Sequence, residues 1–271
     1  MLPFAVVIRT FNEGRNIERV LGALEQQSIA PSELIVVDNE SADGTPDLVR
    51  DRAPHLLAPA GRYELVTVAR NDFSHPKSMN LGMAATSCPV VIMLVGHAIP
   101  IGHRWAELAV SHFDRPEVAG VYAHVRPDHG AGTVEGLMYE FGYQLSRLKG
   151  SPRLEKKVGV GVFGATNIVI RRELWAQHRF DEGFASGGED SHWAMWALDQ
   201  GYQIICDLGF SVRHSHGLSV RQYWKQVRAW QRMSQHRPFD RAELETYRSF
   251  GGDRMPSSQR DSRLAMRSTS R

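Results

Sequence analysis

The chain has 271 residues, of which 42% are hydrophobic and 23% are charged, and its formal net charge is +2. This length and apolar content are sufficient for a buried core and exclude a disordered protein, and the near-neutral charge does not suggest a nucleic-acid partner. Two cysteines, Cys88 and Cys206, are too few for a disulfide scaffold and fit a reducing compartment. The longest purely apolar run, residues 90–95, is too short to span a bilayer, and the first residues do not resemble a signal peptide.

The charge is distributed unevenly along the chain. Residues 250–271 contain five arginines and two aspartates, a net charge of +3, so the remainder carries −1. The same segment contains five serines and shows almost no apolar periodicity. We therefore expect a single domain over residues 1–240, followed by a partly disordered basic tail over residues 241–271.

Residues 1–100 alternate between strand and helix patterns. A β-branched run predicts a strand over 4–10, and apolar residues at helical spacing predict a helix over 14–27. Further strands are predicted over 34–38, 65–70 and 90–95, and further helices over 78–85 and from Thr45, which is expected as an N-cap before Pro46. Repeated β-α-β units predict an α/β fold with a mostly parallel sheet that is flanked by helices.

Residues 101–240 show a less regular order of elements. Helices are predicted over 105–113, 134–149, 190–200 and 219–234, and strands over 118–125, 164–170, 202–206 and 210–213. No internal repeat or linker interrupts the sequence. The pattern predicts a Rossmann-like first half that continues into a mixed second half.

Polar residues follow four of the predicted strands. They are Thr10-Phe-Asn-Glu13, Asp38-Asn-Glu-Ser41, Arg70-Asn-Asp72 and Gly96-His97. Each group alone is compatible with ordinary loop chemistry. In open α/β sheets, however, ligands bind at the carboxyl ends of the strands, so the four groups together predict a polar cleft at one edge of the sheet.

The sequence resembles the family 2 inverting glycosyltransferases, which have the GT-A fold. The resemblance is carried by residues 4–13 (FAVVIRTFNE), 35–45 (IVVDNESADGT) and 72–82 (DFSHPKSMNLG), and then by 163–167 (FGATN), 188–193 (GEDSHW) and 214–216 (HSH). It covers approximately residues 4–235. Gln226-Val-Arg-Ala-Trp230 only faintly resembles the Gln-x-x-Arg-Trp motif of processive synthases, so a non-processive enzyme is expected.

The resemblance implies a nucleoside diphosphate-sugar donor bound near the first strand ends. The residues implied are Thr10, Asn12, Glu13 and Asp38 for the base and ribose, and Arg70 and Lys77 for the diphosphate. A carboxylate suits N–H and hydroxyl donors because it is a strong acceptor, and arginine and lysine suit phosphate oxygens. The alternative for Asp38 is a turn-stabilising contact with Ser41, and the alternative for Arg70 and Lys77 is simple solvent exposure.

The sequence departs from the family at the metal-binding motif. These enzymes typically carry Asp-x-Asp after the fourth main strand, whereas this chain has Val95-Gly-His97. A neutral imidazole ligates Mn²⁺ better than Mg²⁺, so a divalent metal on His97 remains open, with Mn²⁺ favoured. The alternatives are that His97 simply ends the strand or contacts the phosphate without a metal. Similar enzymes place a histidine of the 214–216 region on the metal, which makes His216, and then His214, the further candidates.

The acidic motif is the candidate catalytic centre. The resemblance implies that Asp190 removes the proton of the acceptor hydroxyl, with Glu189 beside it in the substrate site. The alternative for Asp190 is helix capping after Gly188, and both roles are compatible. Trp193, one turn further on, is a candidate platform for an acceptor sugar, and core packing is its alternative.

The sequence therefore predicts a cytoplasmic glycosyltransferase with a donor half over residues 1–100 and an acceptor half over residues 101–240. The resemblance implies inversion and an acceptor hydroxyl in a bacterial surface polysaccharide or lipid-linked glycan. A catalytically silent sugar-nucleotide-binding module is the alternative, and a nucleotidyltransferase is disfavoured because no glycine-rich basic loop opens the chain. The predicted helix over 219–234 carries tyrosine and tryptophan together with four arginines and lysines, at 221, 225, 228 and 232. This helix and the basic tail predict peripheral association with an anionic membrane surface.

Overall fold

A computed structural model describes residues 1–159, 161–184 and 187–233. The strands are β1 (Phe4–Thr10), β2 (Glu33–Asp38), β3 (Arg62–Thr67), β4 (Val90–Val95), β5 (Ile99–Pro100), β6 (Val118–Tyr122), β7 (Arg126–Pro127), β8 (Arg153–Leu154), β9 (Asn167–Arg171), β10 (Gln203–Cys206) and β11 (Val212–His214). The helices are α1 (Gly14–Glu25), α2 (Thr45–Arg52), α3 (His75–Ala85), α4 (Trp105–Ser111), α5 (Thr133–Leu148), α6 (Arg172–Gln177), α7 (Glu189–Asp199) and α8 (Val220–Met233).

Eight strands form one mixed sheet in the order β3-β2-β1-β4-β9-β6-β10-β8. The first four strands are parallel to one another, and β9 is antiparallel to both of its neighbours, β4 and β6. The carboxyl ends of β1, β2, β3, β4 and β6 therefore lie at the same edge as the amino end of β9. The predicted α/β class with a mostly parallel sheet is confirmed.

Helices cover both faces of the sheet, and two apolar clusters result. Alternate residues of β1 show this arrangement, because Val6 and Ile8 belong to one cluster whereas Ala5 and Val7 belong to the other. β4 is buried on both faces, which explains its uninterrupted apolar sequence. The amphipathic helix α1 buries its apolar stripe against the first cluster.

A second, three-stranded sheet lies beside the large one and has the order β5-β11-β7. β11 is antiparallel to β5 and parallel to β7. Since β5 begins two residues after His97, this small sheet brings the histidines of residues 214–216 next to the end of β4.

Several predicted boundaries differ from the structure. Thr45 is the first residue of α2 and not its cap, because Gly44, with φ of 85°, occupies the cap position. The predicted strand 65–70 is displaced: β3 ends at Thr67, and Arg70 begins a short 3-10 turn. The strand predicted over 118–125 ends at Tyr122. The predicted tail, residues 241–271, lies outside the described residues. Among the described residues, no helix combines the length and apolar character that crossing a bilayer requires.

Candidate active site

The end of β4 lies in close contact with the end of β1. A Cβ atom added to Gly96 would lie 3.0 Å from Oγ1 of Thr10 and 3.1 Å from Cγ of Glu13. A side chain here would push the two loops apart, which accounts for glycine before His97. Thr10 itself is buried, and its hydroxyl has no hydrogen-bond partner among the described residues.

His97 is oriented by Glu13. Its Nδ1 lies 2.6 Å from Oε1 of that carboxylate, whose other oxygen accepts a hydrogen bond from the side-chain amide of Asn16. Nε2 of His97 is buried and has no hydrogen-bond partner in the described chain. A carboxylate on one ring nitrogen with the second nitrogen left unpartnered is the usual arrangement of a metal-binding histidine.

Two further histidines complete a cluster with His97. The ring of His214 is stacked on that of His97 with centroids 4.8 Å apart, and the ring of His216 meets both rings edge-on. One nitrogen from each ring lies within 4.8 Å of the others. Burial, together with the neighbouring His216 and His97, holds the pKa of His214 well below its usual range, so its imidazole is neutral.

The cluster fits a transition metal. Nδ1 of His214, like Nε2 of His97, is buried without a hydrogen-bond partner among the described residues, although a buried polar atom normally has one. Imidazole nitrogens suit Mn²⁺, Zn²⁺ and similar ions better than Mg²⁺, which prefers oxygen ligands. Typical metal–nitrogen bonds of about 2.0–2.1 Å require the three rings to approach one another slightly.

Glu135, at the start of α5, fixes the loop that carries His216. Its side chain is fully buried and accepts hydrogen bonds from the backbone N–H groups of His216 and Leu218, at 2.8 and 3.0 Å, and from that of Gly132. Sequence reasoning missed this residue because a glutamate in the first turn of a helix is ordinary. No local pattern indicates that its partners lie about 80 residues away.

Asp190 lies at the beginning of α7, at the same sheet edge. Gly188 adopts φ of 101° before the helix, a conformation that favours glycine. One carboxylate oxygen of Asp190 accepts a hydrogen bond from the N–H of Ala165 at 2.7 Å, and the other accepts from the N–H of Ser191 at 2.6 Å. The carboxylate is therefore held between the start of its own helix and the loop that leads into β9.

Glu189 and Asp190 form a close acidic pair. Glu189 is 2% exposed, and its Oε2 has no hydrogen-bond partner among the described residues. Burial and the charge of Asp190 raise the pKa of Glu189, so it is protonated at neutral pH. Burial also raises the pKa of Asp190, and its hydrogen bonds to Ala165 and Ser191 and the charge of Arg9 oppose that rise.

Arg9 is the positive charge next to this pair. It lies in β1 and is 8% exposed, and its guanidinium donates to the carbonyl of Ala165 at 3.1 Å. Its other terminal nitrogen lies 3.3 Å from Nδ1 of His75. Burial and the charge of Arg9 lower the pKa of His75 to about 3, which keeps that ring neutral. An arginine inside an apolar strand is the sequence signal that could have found this residue.

Trp193 does not fit the role of a sugar platform. The side chain is completely buried, stacks on Phe163 with centroids 5.7 Å apart, and donates its indole N–H to the carbonyl of His178. A ring without exposed surface offers no face to a sugar, so this expectation is corrected to core packing. Trp196 is also packed, against His178.

Asp38 and Asn12 join the loops after β1 and β2. Asp38 is 1% exposed, and its oxygens accept hydrogen bonds from the N–H and hydroxyl of Ser41. The N–H of Asn12 in turn donates to the hydroxyl of Ser41, and its side-chain oxygen accepts from Ala42. The turn-stabilising alternative for Asp38 is therefore present in the structure. Each carboxylate oxygen has a second lone pair, but in this structure the side chain is buried from solvent.

Arg70 follows β3, and Lys77 lies in the first turn of α3. Arg70 is exposed, donates to the carbonyl of Glu40 and covers the ring of Phe11. Lys77 forms an ion pair with Asp72. The structure thus unites Thr10, Glu13, His97, His214 and His216, places Glu189 and Asp190 at the same edge, and leaves the two cations in their own local contacts.

The comparisons with known proteins agree with this architecture. The family described as Glycosyl transferase family 2 matches residues 5–178. The chain is 26% identical over 224 residues to the O-antigen chain rhamnosyltransferase RfbN of Salmonella typhimurium, which covers 82% of this chain and 69% of that protein. It is 27% identical over 207 residues to the glycosyltransferase AglE of Haloferax volcanii, with 75% and 64% covered.

Solved structures share the fold. The mannosyltransferase PcManGT from Pyrobaculum calidifontis, in complex with GDP-Man and Mn²⁺, is similar with a TM-score of 0.61 at 22% identity, over 84% of this chain and 61% of that one. GalNAc-T7 with UDP, GalNAc and Mn²⁺ gives a TM-score of 0.60 at 17% identity, over 81% and 44%. The fold and the enzyme class expected from the sequence are confirmed. The chain belongs to glycosyl transferase family 2.

Proposed function

We propose that this chain transfers a sugar, with inversion and without processivity, from a nucleoside diphosphate-sugar to a hydroxyl group of a glycan or lipid-linked acceptor. The observation that carries the proposal is the fixed carboxylate of Asp190 at the ligand-binding edge of a family 2 domain. Residues 1–100 form the donor half in this proposal, and residues 101–240 form the acceptor half.

Asp190 acts as the general base in this reaction. It takes the proton of the acceptor hydroxyl while that oxygen attacks the anomeric carbon and the nucleoside diphosphate leaves from the opposite face. Two backbone N–H groups orient the carboxylate, and Arg9 lowers the cost of its ionisation inside the protein. Glu189, kept protonated by burial, leaves the negative charge on Asp190.

His97, His214 and His216 would hold a divalent metal, with Glu13 orienting His97. The three nitrogen ligands favour Mn²⁺ over Mg²⁺, and two structural neighbours were solved with Mn²⁺. When bound, such a metal supplies positive charge for the diphosphate leaving group. Thr10, Asn12 and Asp38, at the ends of β1 and β2, would contact the nucleoside, and Arg70 and Lys77 would contact phosphate.

The relatives indicate the donor and acceptor classes. Two of them are O-antigen chain rhamnosyltransferases, so we include a nucleoside diphosphate-rhamnose among the candidate donors and a surface polysaccharide or its lipid-linked precursor as the acceptor. A lipid-linked acceptor would place the enzyme in the cytoplasm at the inner face of the membrane.

A catalytically silent sugar-nucleotide-binding module is the second candidate. The observation that favours it is the absence of Asp-x-Asp, since residues 95–97 read Val-Gly-His. Such a module would bind the donor as an enzyme does but would not hydrolyse it.

A thermal-shift panel with UDP, GDP, dTDP and CMP, with and without Mn²⁺, tests donor binding. Ligand at 100 times its dissociation constant stabilises the folded state by about 2.7 kcal/mol, which the method detects. Slow hydrolysis of the matching nucleotide-sugar without acceptor then tests catalysis. We expect hydrolysis that is lost in Asp190→Asn while nucleotide binding persists. Binding without hydrolysis in the wild type would favour the silent module.

A further inference from the structure

The outer face of α5 is apolar and exposed to solvent. Five large side chains form this outer face, and they are between 43% and 82% exposed: Leu137, Met138, Phe141, Leu145 and Leu148. Their spacing of three to four residues places them on one side of the helix over about three turns. An apolar stripe of this length on solvent indicates a contact surface, because isolated exposed apolar residues are normal but contiguous patches are not.

The opposite side of α5 holds the helix on the protein. Glu135 and Ser146 are buried there, and Ser146 accepts a hydrogen bond from Arg153 at 2.7 Å. Glu140 of α5 forms an ion pair with Arg126 of β7. Since these contacts fix α5, its outer face is not needed for the core, and its apolar character calls for another explanation.

The end of α5 is cationic. Four cations are exposed here: Arg147 in the last turn, Lys149 at the C-cap, and Lys156 and Lys157 after β8. Leu148 lies among them in sequence and is 82% exposed. Apolar side chains bordered by lysine and arginine are typical of surfaces that bind the interface of an anionic bilayer.

α8, which contacts α5, also carries exposed apolar side chains next to cations. Trp224 and Val220 are exposed, and the exposed Arg221 and Arg228 lie on the same side of the helix by spacing. The two helices contact each other, and Glu135 of α5 accepts the N–H of Leu218 just before α8 begins. Tryptophan is favoured at membrane–water interfaces because its ring is both apolar and polar.

We propose that the outer face of α5, with the adjoining cations and the exposed side of α8, binds an anionic lipid bilayer. The proposed function places the enzyme at a membrane through a lipid-linked acceptor, and this inference rests on that proposal while naming the surface that would contact the lipid. The charges favour lipid over a second copy of the chain, because a second copy would bring the same cations to the interface. The acidic residues beside α5 are already engaged, since Glu140 pairs with Arg126 and Asp128 pairs with Arg19.

Flotation of the full chain with vesicles tests the proposal. Vesicles of phosphatidylcholine containing phosphatidylglycerol are compared with pure phosphatidylcholine vesicles, at low and high salt. We expect binding to the anionic vesicles that weakens with salt. The double variant Phe141→Ser/Leu148→Ser should bind them at least about tenfold more weakly, because two apolar side chains no longer enter the interface. Tyr63→Ser, at an exposed position of the opposite edge strand β3, is the matched control.

A charge variant tests the lipid preference separately. Lys156→Gln/Lys157→Gln should lose about fivefold in binding for each lysine removed, only on anionic vesicles and only at low salt. Arg15→Gln/Arg50→Gln removes the same charge from exposed positions elsewhere and should bind as the wild type does.

Three results would overturn the proposal. The first is equal binding of the wild type to both kinds of vesicle, and the second is unchanged binding of Phe141→Ser/Leu148→Ser. The third is a lower oligomeric mass of that variant in light scattering, which would show that the outer face of α5 binds a second copy of the chain. Hydrolysis of the nucleotide-sugar in solution, without vesicles, is measured for the same variants. If hydrolysis is absent throughout while the vesicle results hold, the proposed reaction fails and the membrane surface remains.

Discussion

Nδ1 of His97 lies 2.6 Å from Oε1 of Glu13, and this contact determines which nitrogen of His97 is available. An ionised carboxylate can only accept a hydrogen bond, so Nδ1 is the donor and Nε2, which is buried without a hydrogen-bond partner among the described residues, is the nitrogen left for a ligand. Residues 95–97 at the end of β4 read Val-Gly-His, so His97 is the first side chain after the strand that can bind a metal. Glu13 therefore contacts the ring nitrogen that would not bind the metal. It would influence a metal on Nε2 only by orienting and polarising the His97 ring.

Replacing Glu13 by glutamine should weaken metal binding without abolishing it. An amide orients His97 less firmly and polarises it less, and changes of this kind typically cost about 10- to 100-fold in metal affinity. Competition of Mn²⁺ or Zn²⁺ against a chromogenic chelator measures the effect. His97→Ala should lose more, and Glu18→Gln, an exposed change in α1, the helix that follows Glu13, should lose nothing. Unchanged affinity in both Glu13→Gln and His97→Ala would remove the metal from this cluster.

The variants Asp190→Asn and Glu189→Gln should differ in activity: the first should lose it and the second should keep it. Asp190→Asn keeps the size of the side chain but removes the base, so donor turnover should fall by about 100-fold or more. Glu189→Gln resembles the protonated acid that burial already favours, so turnover should remain within a few-fold of the wild type. Initial rates of nucleotide-sugar hydrolysis compare the two. Equal losses of turnover in the two variants would contradict the assignment of the general base to Asp190 alone.

The stability of the protein should depend on pH through Glu189. Its pKa is raised in the folded state to about 8, so the folded protein binds this proton more tightly than the unfolded chain does. The stabilising effect of this proton is complete below the ordinary pKa of 4.5 and is lost as the pH rises through the raised pKa. Between those two pKa values the free energy of unfolding should fall by about 1.4 kcal/mol for each pH unit.

Glu189→Gln removes this titration, so the variant should gain stability relative to the wild type as the pH increases. Urea denaturation at a series of pH values gives the difference in free energy of unfolding. A constant difference across the series would contradict the assignment of a raised pKa to Glu189.

Two glycines in helices should respond oppositely to alanine. A Cβ atom at Gly82 of α3 would lie within van der Waals overlap of Val7 in β1, whereas a Cβ atom at Gly22 of α1 would have no neighbour within 4 Å. Gly82→Ala should therefore destabilise the fold by about 1–3 kcal/mol. Gly22→Ala should stabilise it by about 0.5–1 kcal/mol, because alanine loses less backbone entropy in a helix. Thermal unfolding of the two variants tests the packing of α3 on the sheet.

The sheet and its polar edge could be predicted from local patterns. β4 is a continuous apolar run and β1 is β-branched or apolar except at Arg9, and the observed bounds of both strands equal the predicted ones. Parallel strands bring their carboxyl ends to one edge, so Thr10 and His97 could be expected at the same edge of the sheet. The Glu-Asp motif at the start of a helix is equally visible in the sequence.

The pairing of particular side chains could not be predicted in the same way. Glu13 and His97 are separated by 84 residues, and Glu135 and His216 by 81, so no periodicity connects them. Trp193 follows the acidic motif closely enough to suggest a sugar platform, but its orientation depends on Phe163, which comes from another loop. Helical spacing shows which residues share one face of α7, but it does not show how deeply Trp193 is buried.

The antiparallel strand β9 limits how this enzyme can be divided. Although it belongs to the second half of the sequence, it is hydrogen-bonded to β4 on one side and to β6 on the other. Residues 1–100 and the later strands therefore share one continuous sheet in the described part of the chain. A chimera that takes residues 1–100 from a relative would need a new fit between the foreign β4 and the native β9. Exchanging only the loops at the sheet edge would leave the pairing of β4 and β9 unchanged.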